Sequence, residues 1–149
     1  MSPPINNLKT IPIYAKAEEA YSIGNIRALL AEIAALLEKL TETGETGMID
    51  MNSLPFAPGE YEQLRQTLGQ GEVSARIEAI GPSEIIETRY PGVWWVTHYN
   101  VEGDIVADTL EITAMPEIIK SQPEDIRMGL DLLKETLNDS SVRGEALEP

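Results

Sequence analysis

The stretch Glu72-Val73-Ser74-Ala75-Arg76-Ile77-Glu78-Ala79 decides the fold class. Val73, Ala75, Ile77 and Ala79 alternate with Glu72, Ser74, Arg76 and Glu78, the period of a strand with one wet face. The same period continues toward the carboxyl terminus. Gly81-Pro82 turns the chain, and Glu84 opens a strand through Ile86, Thr88 and Tyr90. Pro91-Gly92 turns it again before a strand from Val93 to Asn100. Glu102-Gly103 is a hairpin signal before Asp104 to Thr113, with Val106, Leu110 and Ile112 on one side. Connections this short join antiparallel neighbours, since parallel ones need crossovers of about a dozen residues or more. A four-stranded antiparallel meander is expected.

Before the meander the period is helical. Ile26, Leu29, Leu30, Ile33, Leu36, Leu37 and Leu40 form one apolar stripe, with Asn25 placed to cap its start and Gly44 its end. Met48 to Met51 is a short extended stretch. Pro58-Gly59 then introduces a second helix through Glu60, Tyr61, Leu64 and Leu68, stopped at Gly69 and Gly71. After the meander, Ser121 and Glu124 have the spacing of a capping box ahead of Ile126, Leu130, Leu133 and Leu137. The order predicts an α+β fold with helices packed on one face of the sheet. An irregular segment 1–22, a single domain over 23–138 and a frayed polar tail 139–149 complete the expected organisation.

Composition narrows the function. The 149 residues are 42% hydrophobic, enough for one domain with a real core, and 25 acidic against 11 basic groups leave a net charge of −14. A surplus of acid repels the phosphate backbone, so nucleic acid is not an expected partner. Without cysteine there are no disulfides, thiolate metal sites or cysteine nucleophiles, and one histidine excludes an imidazole cluster; neither metal nor cofactor is expected. Met1 to Asn7 lacks the basic start of a signal peptide. Arg27, Glu32, Glu38 and Lys39 interrupt the longest apolar stretch, so no membrane association is expected and the cytoplasm is the expected location. The acid is uneven: residues 1–47 sum to −2, 48–101 to −4 and 102–149 to −8. The last third can therefore steer a basic partner, or serve solubility alone.

The chemistry-bearing residues are few. Histidine is the side chain suited to general-base work near neutral pH, and Glu84, Glu87 or Glu111 on neighbouring strands could orient His98 in that role; the alternative is a structural or interface histidine. No G-x-S-x-G elbow surrounds a serine. Carboxylates such as Glu124 and Asp125 lie at helix-surface spacing rather than in a calcium loop. Gly69-Gln70-Gly71 follows a helix and precedes a strand, the reverse of a dinucleotide loop. The densest feature runs from Tyr90 to Asn100 and holds both tryptophans. On a strand, Val93, Trp95, Thr97 and Tyr99 share one face while Trp94, Val96 and His98 share the other. Trp94, alternating with Val96, is assigned to the core. Trp95 and Tyr99 are assigned to a recognition face, and Trp94, His98, Tyr90 and Asn100 complete the candidate partner-binding set.

Within that stretch, Pro91-Gly92-Val93-Trp94 followed by His98-Tyr99 resembles the signature of the HupH/HyaF-type hydrogenase expression/formation proteins, accessory factors for nickel–iron uptake hydrogenases. The resemblance extends through Gly24-Asn25, the helix around Ala28 to Ile33, Ile49-Asp50, Leu54-Pro55, Leu68 to Ser74, Gly81 to Glu84 and Glu87-Thr88, covering roughly residues 24–135. It implies a non-catalytic maturation chaperone, without catalytic residues of its own. The implied partners are the hydrogenase small-subunit precursor, whose leader carries adjacent arginines, and other hydrogenase accessory proteins. Many members of the family are longer than this chain, which reads either as a single-unit version or as a truncated form. Two rival readings stand beside it. One is a small acid/base enzyme using His98 with a carboxylate; the other is a scaffold whose exposed tryptophan face closes a homodimer.

Overall fold

The computed structural model describes residues 25–139 and 141, so the expected irregular segment 1–22 and most of the expected tail lie outside the described residues. The chain divides into two units between Ala114 and Met115. Among the described residues, no helix is long and apolar enough to cross a membrane.

The first unit contains helix α1 (25–43), strand β1 (Gly47–Asp50), a short 3-10 turn (Met51–Ser53), helix α2 (Glu60–Leu68) and strands β2 (Ser74–Ile77), β3 (Ser83–Glu87), β4 (Val93–Tyr99) and β5 (Ile105–Ile112). The meander forms as expected, every neighbouring pair antiparallel, but among the described residues the sheet has five strands in the order β1-β5-β4-β3-β2. The fifth is the extended stretch at Met48, which pairs along the far side of β5 with Gly47 opposite Ile112 and Asp50 opposite Thr109. Four residues give too short an alternation to announce a strand: only Ile49 is buried, while Met48 is exposed.

The helices stop where the glycines are. The Gly44 amide donates to the Leu40 carbonyl at 2.9 Å, and α2 lies between Gly59 and Gly69. Gly71 shows what the short Gly-Gln-Gly run does. Its amide donates to the Glu87 carbonyl at 2.7 Å, and a Cβ there would meet the Thr88 carbonyl oxygen at 2.5 Å. Only glycine lets the chain leaving α2 run this close to β3. Gly81 plays the same part in the β2–β3 turn, with φ at +78° and the Tyr99 carbonyl oxygen filling the space a Cβ would need.

Both helices pack on one face of the sheet. Ile26, Leu29 and Ile33 of α1 and Leu64 and Leu68 of α2 bury against Ile49, Val93, Trp95, Leu110 and Ile112. Each such side chain contributes about 1.5–3 kcal/mol when withdrawn from water. The helix-covered face is therefore that of Trp95, which is 3% exposed, and the expected assignment of the two tryptophans is corrected. Trp94, on the opposite face, is 5% exposed, and its neighbours Val96 and Ile85 are fully buried. Both faces are closed over the middle of β4.

A register shift between His98 and Tyr99 corrects a second expectation. Tyr99 pairs with Ile105 and His98 with Ala107, so Val106 is an extra residue and stays exposed instead of joining Leu110 and Ile112 inside.

The second unit holds a 3-10 turn (Glu117–Ile119) and helix α3 (Pro123–Asn138). Its expected capping box does not form. Pro123 takes the first helical position, making Gln122 the cap residue, and no side chain caps the helix. Ile126, Leu130, Leu133 and Leu137 lie on one face of α3, each about half exposed or more.

Candidate functional site

Asp108 organises the helix-covered face. It stands on β5 opposite Thr97, two residues before Leu110, and is 2% exposed. Its Oδ1 accepts from the Trp95 indole Nε1 at 2.6 Å and the Thr97 hydroxyl at 3.0 Å, and its Oδ2 accepts from the Tyr61 hydroxyl at 2.5 Å. The Tyr61 ring meets Trp95 edge to face, with centroids 5.3 Å apart, and Phe56 packs against its other side. Arg65, one turn along α2, lies 4.7 Å from the Trp95 ring centroid and donates to the Tyr61 oxygen at 3.4 Å. A carboxylate this buried is tolerated because three donors and a nearby guanidinium replace its water. Sequence alone does not announce the network, although Asp108 leaves a signal: an acid where the period of Leu110 and Ile112 demands a core residue.

Tyr61 reports on this environment. Burial first, then the hydrogen bond and charge of Asp108, push its phenol up to about 12 from 10.0. The folded protein thus favours the neutral phenol. This contribution is complete below pH 10 and is lost as the pH rises toward about 12, where the folded-state phenol itself ionises. Urea titrations on the two sides of pH 10 should show a steeper alkaline loss of stability in the native sequence than in Tyr61→Phe. Parallel losses would place the phenol outside the stabilising network.

The six expected partner-binding residues do not form one patch. Tyr90 is exposed in the β3–β4 turn, with its amide on the Thr88 hydroxyl, whereas Tyr99 and Asn100 lie at the other end of a strand about 20 Å long. Asn100 is engaged in its own hairpin, donating its amide to the Asp104 carbonyl and accepting the Asp104 amide on its Oδ1. Trp94 donates its indole N–H to the Thr113 carbonyl at 3.0 Å. With Trp94 and Trp95 both buried, the exposed tryptophan face invoked for a homodimer is corrected.

His98 lies beside a hydroxyl and not beside a carboxylate of the kind the rival enzyme reading requires. Its Nδ1 lies 2.6 Å from Ser83 Oγ, directly across the strand pair. Glu84 points to the other face and pairs with Arg76 at 3.2 Å, and Glu87 accepts the Glu72 amide. Glu111 stands opposite Trp94, about 13 Å along the strand direction from His98. Among the described residues, no group of three His, Cys, Asp or Glu side chains is placed to hold a metal ion.

What remains open on the helix-covered face is a groove beyond the end of α2. One hollow of about 230 Å³ is lined by Arg65, Gly69, Gln70, Ile86 and Trp95. A shallower one of about 510 Å³ shares Gln70 and Ile86 and adds Ser74, Arg76 and Glu84. Register explains the grouping: Ser74 faces Ile86, Arg76 faces Glu84, Ile86 faces Trp95 and Glu84 faces Thr97. Trp95 thus reaches the surface only as the floor of this groove. The walls carry hydrogen-bonding side chains and a mixed Arg–Glu pair, a surface suited to a polypeptide segment.

Comparison with known proteins agrees with this architecture. Residues 23–139 match the family described as HupH hydrogenase expression protein, C-terminal conserved region. The hydrogenase expression/formation protein HoxQ of Azotobacter vinelandii is 32% identical over 87 residues, 58% of this chain and 31% of the relative. HupH of Rhodobacter capsulatus is 31% identical over 115 residues, 76% of this chain and 41% of the relative. The chain is thus matched to between about a third and two fifths of these relatives' length. Among solved structures, the hydrogenase expression protein HupH from Thiobacillus denitrificans ATCC 25259 is 41% identical, with a TM-score of 0.73 over 76% of this chain and 95% of that one.

Proposed function

The chain belongs to the HupH hydrogenase expression protein family, and from that premise we propose that it is a non-catalytic maturation chaperone that holds the hydrogenase small-subunit precursor before assembly. The match over residues 23–139 is the observation that carries the reading, together with relatives named for hydrogenase expression and formation. It also supports treating residues 23–138 as one functional module. Other hydrogenase accessory proteins are the second class of partner, and the cytoplasm, where a precursor is made, is the proposed location.

Geometry suggests where a client segment would lie. The groove floored by Trp95 and walled by Gln70, Arg76, Glu84 and Ile86 lies on the sheet face that Tyr99 shares by strand alternation, which keeps Trp95 and Tyr99 in the proposed contact set. Trp94, His98, Tyr90 and Asn100 are then structural or peripheral. The acid concentrated in residues 102–149 would raise the encounter rate with a basic client rather than fix its position.

Capture from hydrogenase-expressing cells tests this. Tagged native chain should retain the small-subunit precursor, and Ile86→Asp, a change on a partly buried groove wall, should reduce the fraction retained about tenfold or more, compared at equal amounts of protein shown to be folded by circular dichroism. Retention of the large subunit alone, or of no hydrogenase component, would refute the reading. Equal retention by Ile86→Asp would move the contact away from the groove.

A further inference from the structure

A second hollow, remote from the groove, opens between the starts of the two helices. It measures about 220 Å³, and Ile26, Leu29, Leu54 and Phe56 give it an apolar lining, with Glu32 and Glu60 as its only charged members among the described residues. Glu60 is the first residue of α2 and is 1% exposed. One of its carboxylate oxygens closes the turn before the helix. Oε1 accepts the Ala57 amide at 2.5 Å, reciprocating the Glu60 amide bond to the Ala57 carbonyl at 3.0 Å. The other oxygen, Oε2, is buried and has no hydrogen-bond partner among the described residues.

That orphan oxygen is a physical anomaly. A buried acceptor without a donor forfeits the hydration it had in the unfolded chain and gets nothing in return. The turn at Ala57 explains one oxygen and not the other. A neutral glutamine could serve Ala57 equally well through its amide oxygen.

We propose that this hollow binds a cationic headgroup carried on an apolar stem, an alkylammonium or alkylguanidinium, with Glu60 Oε2 as its principal acceptor. The sign of the ligand follows from the lining, which among the described residues holds two carboxylates and neither lysine nor arginine, so an anion is disfavoured. The stem follows from the aliphatic and aromatic walls, and the size from the volume, smaller than the roughly 300–1,000 Å³ of drug-sized sites. Glu32, exposed at the rim, would attract the cation while its water is being removed. The site stands apart from the groove and does not depend on the proposed client.

Amide NMR titration of the full chain with n-butylguanidinium, n-butylammonium and the neutral isostere n-butylurea tests the site. Both cations should shift the Ala57 and Glu60 resonances saturably, and the urea should bind at least about tenfold more weakly. The stronger of the two cations identifies the preferred headgroup. Glu60→Gln should abolish most of the cation response, and Glu32→Gln should weaken it less. An equal response to the urea, or no saturable shift at Ala57 with either cation, would overturn the proposal. So would an undiminished response in folded Glu60→Gln; were that variant to unfold, the comparison of cation with urea on the native chain still decides.

Discussion

Asp108→Ala is expected to destabilise the protein by about 3–5 kcal/mol, the range for removing one member of a buried charged network. The substitution strands three donors at once: the Trp95 indole N–H, the Thr97 hydroxyl and the Tyr61 hydroxyl. Trp95 and Thr97 are each 3% exposed, so water cannot readily replace the lost acceptor. Each buried donor left unsatisfied costs about 1–3 kcal/mol, and the total falls short of their sum because neighbouring costs overlap. Asp108→Asn keeps one acceptor oxygen but aims an amide N–H₂ at donors, so an intermediate loss is expected. Denaturant midpoints with unchanged slopes would measure both. A loss below about 1 kcal/mol in Asp108→Ala would mean that the network adds little beyond ordinary packing.

The second large effect concerns the adjacent tryptophans. Trp95→Ala removes the ring that α2 rests on, its edge-to-face contact with Tyr61, the face beneath Arg65 and a donor to Asp108. Emptying a buried aromatic site costs about 3–5 kcal/mol, and the orphaned carboxylate places this change at the upper end. Trp94→Ala should cost nearly as much, since it is equally buried and gives up a bond to the Thr113 carbonyl. Trp95→Phe should recover part of the loss by restoring the ring without the N–H. Calorimetry of the three variants checks the order. A melting temperature unmoved by Trp95→Ala would mean that the ring is not a core residue.

These two tryptophans also show where sequence reading reaches its limit. Alternation correctly puts them on opposite faces, but Thr97 beside Trp95 reads as the mark of a wet face. Its hydroxyl is in fact satisfied by Asp108, eleven residues away, and no local pattern announces a partner at that distance. The helices are legible because a stripe of seven apolar residues repeats over about four turns, and the meander because glycine and proline punctuate four alternating runs. β1 is not, since its hydrogen bonds come from a strand distant in the chain. The groove is hidden for the same reason: Gln70, Arg76, Glu84 and Ile86 meet only through strand register. Glu60 reads as one helix-surface acid among many until its burial shows otherwise.

The sheet order sets a timetable for synthesis. β2 through β5 pair in succession as they emerge from the ribosome, each with the strand made just before it. β1 is made first among the described strands yet must wait for β5, about sixty residues later. Until then α1 and α2 have no complete sheet on which to lay their leucines and isoleucines, and a nascent chain stopped short of Ile112 holds that apolar stripe in the open. The nascent chain is thus itself an aggregation-prone species from the emergence of α1 until β5 is complete, and arrest before residue 112 should yield chains that bind general chaperones and not a client.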